Sequence, residues 1–180
     1  MRPAPPLPAP PGVDRCTALV AYEGPAREVV ARLKYRNHRS ALTSLAAAMA
    51  AGVTTRPDVV TWVPTTAARR QARGFDHAEL LARVVARALH RPCHDLLARA
   101  PGPPQTGRPR AARLSGPDLV ARGRVRPHVL VVDDVVTSGA TCAAAARALR
   151  RAGAQIVDVV AAARTPLPRF DANAQERHSP

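Results

Sequence analysis

The sequence is short of aromatic residues, acidic residues and cysteines. Cys16, Cys93 and Cys142 form no Cys-x-x-Cys pair, which excludes a zinc ribbon and a disulfide framework of recognised spacing. The six histidines show no metal-ligand spacing either. Aromatic residues make up 3% of the chain, too few for the base-stacking platforms of a dedicated groove for single-stranded nucleic acid.

Long apolar runs are also missing. No stretch of about 18 residues is apolar throughout and free of charge, which excludes a membrane-spanning helix of ordinary length. The N-terminus carries Arg2 but lacks the apolar segment that a signal peptide needs. We therefore expect a cytoplasmic protein that does not span a membrane.

Proline is concentrated near the start of the chain. Six of the first twelve residues are proline, which favours a polyproline-like or disordered leader over residues 1–16. Residues 165–180 are polar and contain further prolines, as is typical of a flexible tail. With 180 residues, 46% of them hydrophobic, the chain has room for one core, and we assign residues 17–164 to a single domain.

Basic residues outnumber acidic ones by 27 to 13, which gives a formal net charge of +14 and an isoelectric point near 11.6. Lys34 is the only lysine, so nearly all of this positive charge is arginine. One explanation is contact with nucleic acid, whose phosphates attract basic surfaces. The other is a polyanionic small-molecule substrate. Composition alone leaves both explanations open.

The most informative segment is residues 129–141, Val-Leu-Val-Val-Asp-Asp-Val-Val-Thr-Ser-Gly-Ala-Thr. Its apolar start predicts a strand buried on both faces, as in a parallel sheet, and ligands bind beyond the carboxyl ends of such strands. Asp133 and Asp134 end this strand, and their carboxylates suit the two hydroxyls of a vicinal diol. The stretch from Thr137 to Thr141 offers backbone N–H groups and hydroxyls at a helix N-terminus, which suits a phosphate.

The residues after this segment predict a strand–helix–strand unit. The alanine-rich stretch from Ala140 to Arg151 predicts a helix, with Thr137 or Ser138 as its N-cap and Gly153 just past its end. Gln155 to Ala163 then predicts a second strand. The segment with the paired acids therefore lies within a parallel sheet.

Two other interpretations of the paired acids have to be weighed. An apolar strand that ends in acids is also typical of a Walker B segment, but no Gly-x-x-x-x-Gly-Lys-Ser/Thr loop surrounds Lys34. No Gly-x-Gly-x-x-Gly occurs either, which removes the dinucleotide fingerprint. An ordinary turn after a strand explains the acids but not the hydroxyl-rich continuation.

The same segment resembles the phosphoribosyl-diphosphate signature of type I phosphoribosyltransferases, in which apolar residues precede paired acids and a Thr-Thr-Gly-type loop. Further segments within residues 18–164 are similar to the ComF/GntX group associated with competence. They are Ala21-Tyr22-Glu23-Gly24, Leu33-Lys34-Tyr35, Trp62-Val63-Pro64, Arg69, Arg73-Gly74-Phe75-Asp76-His77, Gln105-Thr106-Gly107 and Arg113. The zinc ribbon that many members carry at the N-terminus is replaced here by the proline-rich leader.

The chain departs from the pattern of that group at three places. Thr66 replaces the second proline of Val-Pro-x-Pro, and Asp76 and His77 replace Asn-Gln. Ser138 replaces a threonine and keeps the hydroxyl that a phosphate needs. Asp76 introduces a negative charge on the side of the pyrophosphate or the second substrate.

The resemblance implies an α/β fold of the single-domain type I phosphoribosyltransferase kind. Its sheet would be mostly parallel, twisted and flanked by helices, with a small N-terminal hood built from residues 17–55. The implied activity is transfer of phosphoribosyl from phosphoribosyl diphosphate to a base or amine, with release of pyrophosphate. The alternative is a non-catalytic or regulatory phosphoribosyl-diphosphate-binding protein of competence or DNA uptake that contacts single-stranded DNA through its basic surface. Acceptor, pathway and oligomeric state, a homo-oligomer included, stay open.

The resemblance also assigns site residues. Asp133 and Asp134 would be catalytic, holding the ribose hydroxyls and Mg²⁺, the latter mainly through substrate and water. The 5′-phosphate would bind Val136, Thr137, Ser138, Gly139, Ala140 and Thr141. Pyrophosphate would bind Thr65, Thr66, Arg69 and Arg73, and Arg108 and Arg113 would act from a lid within residues 100–114. Such a long loop also fits a solvated basic loop with no catalytic role.

Weaker patterns predict the remaining elements. Apolar runs predict strands, and residues with helical spacing predict helices. The strands are Thr17 to Tyr22, Asp58 to Val63 and Asp95 to Arg99; the helices are Pro25 to Arg36, Ser40 to Ala51 and a helix capped by Asp76 that reaches about His90.

Overall fold

A computed structural model describes residues 3–4, 8–24, 28, 39–66, 71, 76–100 and 117–166. Within these residues the chain forms six strands and three helices. In chain order they are β1 (Arg15–Ala21), α1 (Arg39–Ala51), β2 (Val59–Trp62), α2 (His77–Ala88), β3 (Leu97–Arg99), β4 (Leu119–Ala121), β5 (His128–Val136), α3 (Ala140–Arg151) and β6 (Ile156–Arg164). None of these helices is long and apolar enough to cross a bilayer.

The central sheet has four strands in the order β1-β6-β5-β2, and all of its pairings are parallel. Val131 of β5 faces Val159 of β6, and Leu130 of β5 faces Val60 of β2. β3 and β4 form a separate antiparallel pair. The mostly parallel α/β fold predicted from the sequence is therefore confirmed.

Helices cover both faces of this sheet, so its central strands are apolar on both sides. On one face the alanines and Leu149 of α3 pack against Val129, Val131 and Val159. On the other face α1 and α2 pack against Leu130, Val132 and Val160, among other residues. β5 lies in the middle of this three-layer arrangement, which fixes the position of any side chain at its carboxyl end.

The predicted strand–helix–strand unit is confirmed, with two corrections. The strand does not end at the acids: β5 continues through Asp133 and Asp134 to Val136, because its pairing with β6 continues beside them. The N-cap of α3 is Gly139, with φ of 76° and no side-chain cap, rather than Thr137 or Ser138. Gly153, with φ of 110°, follows the helix as predicted.

The N-terminal residues differ from the prediction. Residues 8–14 belong to the leader over residues 1–16 that was expected to be polyproline-like or disordered, but they make specific hydrogen bonds to α3 and β6. Pro3 forms an antiparallel bridge to Val20 at the outer edge of β1. β1 and α1, expected in a small N-terminal hood, lie in the main sheet and in one of its helical layers. Apart from Glu28, the predicted helix over residues 25–36 lies outside the described residues.

Candidate active site

Asp133 and Asp134 lie near the carboxyl end of β5, and both are half-buried. The backbone N–H of Asp134 donates to Oδ1 of Asp133 at 2.8 Å, and the N–H of Val135 donates to Oδ1 of Asp134 at 2.7 Å. Each carboxylate is therefore oriented by the backbone that follows it. Such fixed groups lose little conformational freedom when they bind a ligand.

The surroundings disfavour the charged form of Asp133. Burial raises the pKa of Asp133 well above its usual value, and the neighbouring Asp134 and the more distant Asp76 raise this pKa further. The site therefore places two acids side by side where the negative charge of Asp133 is disfavoured. A cation or a pair of hydroxyl donors relieves that unfavourable arrangement, so these acids are suited to such a ligand.

The glycine turn after β5 leads directly into α3. Thr137 and Ser138 are exposed, whereas Gly139 is buried. The Ala140 N–H donates to Oγ of Ser138 over a long distance of 3.4 Å. The helix has no acidic residue in its first turn, so its positive end is not neutralised by a neighbour in sequence. The loop predicted to hold a phosphate thus lies at the same edge of the sheet as the paired acids.

Asp76 connects the start of α2 with the turn after β2. Its carboxylate accepts hydrogen bonds from the Thr65 N–H at 2.8 Å and from the Ala78 N–H at 3.1 Å, and Asp76 is 6% exposed. The predicted N-cap is therefore confirmed. Since β2 is the parallel neighbour of β5, Thr65 lies at the same carboxyl edge as Asp133. Asp76 thus holds in place the turn predicted to bind pyrophosphate.

The predicted lid lies between β3 and β4. The Ala100 N–H donates to the Asp118 carbonyl at 3.0 Å, so these two residues, which flank the segment in sequence, lie next to each other. Nε of Arg99 donates to the Pro64 carbonyl at 3.0 Å, which connects β3 to the turn after β2. Arg108 and Arg113 lie outside the described residues, as do Arg69 and Arg73.

Arg164 is a site neighbour that the sequence analysis did not identify. It is buried at the end of β6, beside Val136 in the register, and its Nη2 donates to the Pro8 carbonyl at 2.8 Å. Burial raises the pKa of Cys16; the positive charge of Arg164 lowers this pKa and the charge of Asp133 raises it. Arg164 and Asp133 are therefore both close enough to Cys16 to influence its thiol. The only sequence signal for it is an arginine at the end of a strand that is apolar from Val159 to Ala163.

Comparison with known proteins agrees with this geometry. The chain matches the model of the phosphoribosyl transferase domain over residues 78–178, more than half of its length. It is 29% identical over 172 residues to the DNA utilization protein YhgH of Escherichia coli strain K12, with 88% of this chain and 76% of the relative covered. The same protein of Shigella flexneri matches with the same identity and coverage.

Two solved structures share the fold. The structure of the allosteric regulatory enzyme of purine biosynthesis aligns with a TM-score of 0.51 and 26% identity over 73% of this chain. Glutamine phosphoribosylpyrophosphate amidotransferase of B. subtilis, complexed with ADP and GMP, aligns with a TM-score of 0.51 and 25% identity over 73% of this chain. In both cases the chain spans 30% of the longer protein, so only one portion of each is comparable.

Proposed function

We propose, from the premise that this chain belongs to the phosphoribosyl transferase domain family, that it binds phosphoribosyl diphosphate and transfers its phosphoribosyl group to a base or amine. The observation that carries this proposal is the continuity of β5, the glycine turn and α3. That continuity brings two fixed carboxylates and a helix N-terminus to one edge of the sheet. A ribose that carries a 5′-phosphate needs both.

The paired acids would bind the two ribose hydroxyls. Oδ1 of Asp133 and Oδ1 of Asp134 already accept backbone N–H groups, so each carboxylate is held while it accepts a hydroxyl donor. When the bond from C1 of the ribose to pyrophosphate breaks, positive charge develops on the sugar ring. Two nearby carboxylates stabilise that charge without moving.

The glycine turn would hold the 5′-phosphate. Backbone N–H groups at the start of a helix point toward an anion, and the helix dipole favours negative charge there. The exposed residues Thr137 and Ser138 would add hydroxyl donors on the solvent side of this turn. The phosphate would thus fix the sugar at one end while its anomeric carbon faces the acceptor, an orientation that accelerates transfer.

Mg²⁺ is the metal that we propose for this site. Adjacent carboxylates supply the hard oxygen ligands that Mg²⁺ prefers, and a cation offsets the burial and repulsion that raise the pKa of Asp133. When bound, Mg²⁺ would neutralise part of the diphosphate charge. Asp133 and Asp134 would hold it, mainly through water and substrate.

The departing pyrophosphate would bind the turn after β2. The Asp76 carboxylate accepts a hydrogen bond from the Thr65 N–H and so holds this turn, in which Thr66 is the next residue. Arg69, Arg73, Arg108 and Arg113 are proposed to add positive charge there. Guanidinium groups bind phosphate oxygens in pairs, which suits a leaving group with several charges.

Transferase activity is tested by incubating the full chain with labelled phosphoribosyl diphosphate, Mg²⁺ and a panel of bases and amines. We expect acceptor-dependent release of pyrophosphate, lost in the Asp133→Asn, Asp134→Asn double variant. Asp95→Asn, which alters only an exposed ion pair with Arg122, serves as the control and should retain full activity. Ligand binding without turnover on any acceptor would contradict transfer and favour a regulatory protein.

A second candidate function, contact with DNA, is supported by a separate basic surface. Val125 donates its N–H to the Ala152 carbonyl at 3.1 Å, which brings Arg124 and Arg126 to the carboxyl end of α3 beside Arg151. These three arginines are exposed. They lie at the end of α3 opposite the glycine turn. Together with the name of the relative YhgH, a DNA utilization protein, this surface suggests that DNA phosphates bind there.

Fluorescence anisotropy with a labelled single-stranded oligonucleotide tests this second function. We expect an affinity that falls steeply with salt, and a log–log slope that decreases by roughly 0.7 for each phosphate contact removed in Arg124→Gln, Arg126→Gln, Arg151→Gln. Arg83→Gln is the control, since Arg83 forms an ion pair with Glu79 and both residues lie on α2, away from this surface. No binding even at low salt would eliminate DNA contact.

A further inference from the structure

The N-terminal strap, defined as residues 8–14, extends along α3 from one end of that helix to the other. Asp14 anchors its later end: the Asp14 N–H donates to the Val157 carbonyl at 2.9 Å, and Oδ2 of Asp14 accepts the Val157 N–H at 2.7 Å. The same Oδ2 accepts Nη2 of Arg150, in the last turn of α3, at 2.6 Å. This end of the strap is therefore attached to both β6 and α3.

A tight turn shapes the middle of the strap. The Val13 N–H donates to the Pro10 carbonyl at 3.0 Å, and Gly12 has φ of 81°, so Pro11 and Gly12 occupy the central positions of a type II turn. Nε of Arg150 donates to the Gly12 carbonyl at 2.9 Å. Val13 is buried in the core beneath α3. Proline restricts this segment before folding, so ordering it costs less entropy.

The earlier end of the strap reaches the glycine turn. A Cβ placed on Gly139 would lie 2.7 Å from Cγ of Pro10 and 3.1 Å from its Cβ, so the Pro10 ring packs directly on this glycine. Pro10 is buried. Two residues earlier, the Pro8 carbonyl accepts Nη2 of Arg164 at the end of β6. The strap thus joins the glycine turn to the neighbouring strand at the ligand edge.

This contact gives Gly139 a role beyond close approach of a phosphate. Its φ of 76° is a conformation that side-chain-bearing residues rarely adopt, and its lack of Cβ also admits the Pro10 ring. A glycine in a free loop samples many conformations. The same glycine held against a buried proline loses that freedom before any ligand arrives.

We propose that the N-terminal strap is a positioning element for the 5′-phosphate: Pro10, packed on Gly139, holds residues 137–141 in the shape that accepts it. The proposal rests on the proposed function, because it concerns the same phosphate site. A turn that is already ordered binds its ligand without a further entropic cost. The proline ring also excludes water from one side of the turn, which strengthens hydrogen bonds to an anion.

The test compares binding of ribose 5-phosphate and of pyrophosphate to full-length variants. Pro10→Gly removes the ring from Gly139 and frees the strap, and Pro10→Ala removes the ring atom that lies nearest. Ala9→Gly is the control, because it increases backbone freedom at the exposed neighbouring residue of the strap. Thermal melting of each variant establishes that the fold is retained.

We expect Pro10→Gly to weaken ribose 5-phosphate binding about tenfold, as for a turn that is correctly shaped about one tenth of the time. Pro10→Ala should lie between wild type and Pro10→Gly. Pyrophosphate binding, which depends on the turn after β2, should be unchanged in all variants. If the strap had only a structural role, the Pro10 substitutions would lower the affinities for ribose 5-phosphate and pyrophosphate together, or would change neither of them. The amides of residues 139–141 should also exchange hydrogen faster in Pro10→Gly.

Several results would overturn the proposal. Equal affinity of wild type and Pro10→Gly would show that the strap does not position the turn, while the phosphate site itself would stand. Tighter binding by Pro10→Gly would show that the strap obstructs the site. If wild type binds neither ribose 5-phosphate nor phosphoribosyl diphosphate, the proposed function fails and the strap proposal fails with it.

Discussion

The Asp133→Asn, Asp134→Asn double variant is expected to bind phosphoribosyl diphosphate at least 100-fold more weakly than wild type. Each carboxylate would make a charge-assisted hydrogen bond to a ribose hydroxyl, worth roughly 1.5–3 kcal/mol. Loss of both corresponds to about 3–6 kcal/mol, or a factor of roughly 10² to 10⁴ in affinity. Isothermal titration calorimetry in the presence of Mg²⁺ measures the change directly.

The double variant should lose affinity without losing the fold. Asparagine keeps an oxygen that accepts the N–H groups of Asp134 and Val135, so the local backbone bonds survive. It also removes the repulsion and the burial of charge that raise the pKa of Asp133, so we expect a melting temperature equal to or above that of wild type. Asp95→Asn is the control for both measurements. Unchanged affinity in the double variant would refute the assignment of these acids.

The same titration reports the protonation of Asp133. Its pKa is raised above the usual value of 3.8 in the free protein, and a bound cation or diol favours the charged form, so binding should release protons and strengthen as pH rises through the raised pKa. The sign for stability is opposite: this carboxyl's contribution is complete below pH 3.8 and is lost as pH rises through the folded-state pKa. Binding heats in buffers of different ionisation enthalpy give the proton count, which Asp133→Asn should reduce.

Asp76→Ala is expected to destabilise the protein by about 2 kcal/mol and to loosen the turn that holds Thr65. Loss of an N-cap carboxylate costs roughly 1 kcal/mol, and a buried N–H left without its acceptor costs about 1–3 kcal/mol. Asp76 accepts both the Ala78 N–H and the Thr65 N–H, so both effects apply. Urea denaturation measures the free energy of unfolding, and pyrophosphate affinity should fall with it.

Asp76→Asn removes the charge but keeps only one of the two hydrogen bonds. Oδ1 of Asp76 accepts the Ala78 N–H and Oδ2 accepts the Thr65 N–H, whereas asparagine has a single acceptor oxygen, so the stability of this variant should lie between those of wild type and Asp76→Ala. Because Asp76 contributes to the raised pKa of Asp133, removing its charge should lower that pKa. Asp95→Ala, which breaks an exposed pair with Arg122, is the control and should change stability by less than about 0.5 kcal/mol. Wild-type stability in Asp76→Ala would contradict the role of this carboxylate.

The part of the fold with strong local signals was predictable from the sequence. Four apolar residues before the acids, an alanine-rich stretch and Gly153 define β5, α3 and β6 within a residue or two. The resemblance to the ComF group of phosphoribosyltransferases is confirmed by the family match and by the similarity to YhgH. This resemblance could be recognised because the residues around Asp133 that carry it are contiguous in the sequence.

Features that depend on long-range contacts were not predictable in the same way. β5 extends past its acids because β6 supplies pairing partners such as Ala163, whatever side chains β5 carries there. Proline content predicted a polyproline-like or disordered leader over residues 1–16, but hydrogen bonds from Arg150 and Arg164 hold residues 8–14 in place. β4 has three residues, and its pairing with β3 spans a long interval of sequence. No local sequence pattern predicts β4, and none predicts that Pro10 packs on Gly139.

The site was predictable as a set of residues more than as a geometry. Asp76 was expected to cap a helix and does so, but its bond to Thr65 joins two turns that only the folded chain brings together. Arg164 was missed because nothing in sequence relates it to Asp133. The catalytic, phosphate-binding and pyrophosphate-binding roles of the named residues stay predictions.

A crystal structure of the chain with phosphoribosyl diphosphate and Mg²⁺ tests most directly whether one sugar phosphate occupies this edge of the sheet. We predict ribose hydroxyls within hydrogen-bond distance of the carboxylates of Asp133 and Asp134, and the 5′-phosphate on the N–H groups of residues 137–141. A ligand bound elsewhere, or these carboxylates turned away from its sugar, would contradict the proposed site.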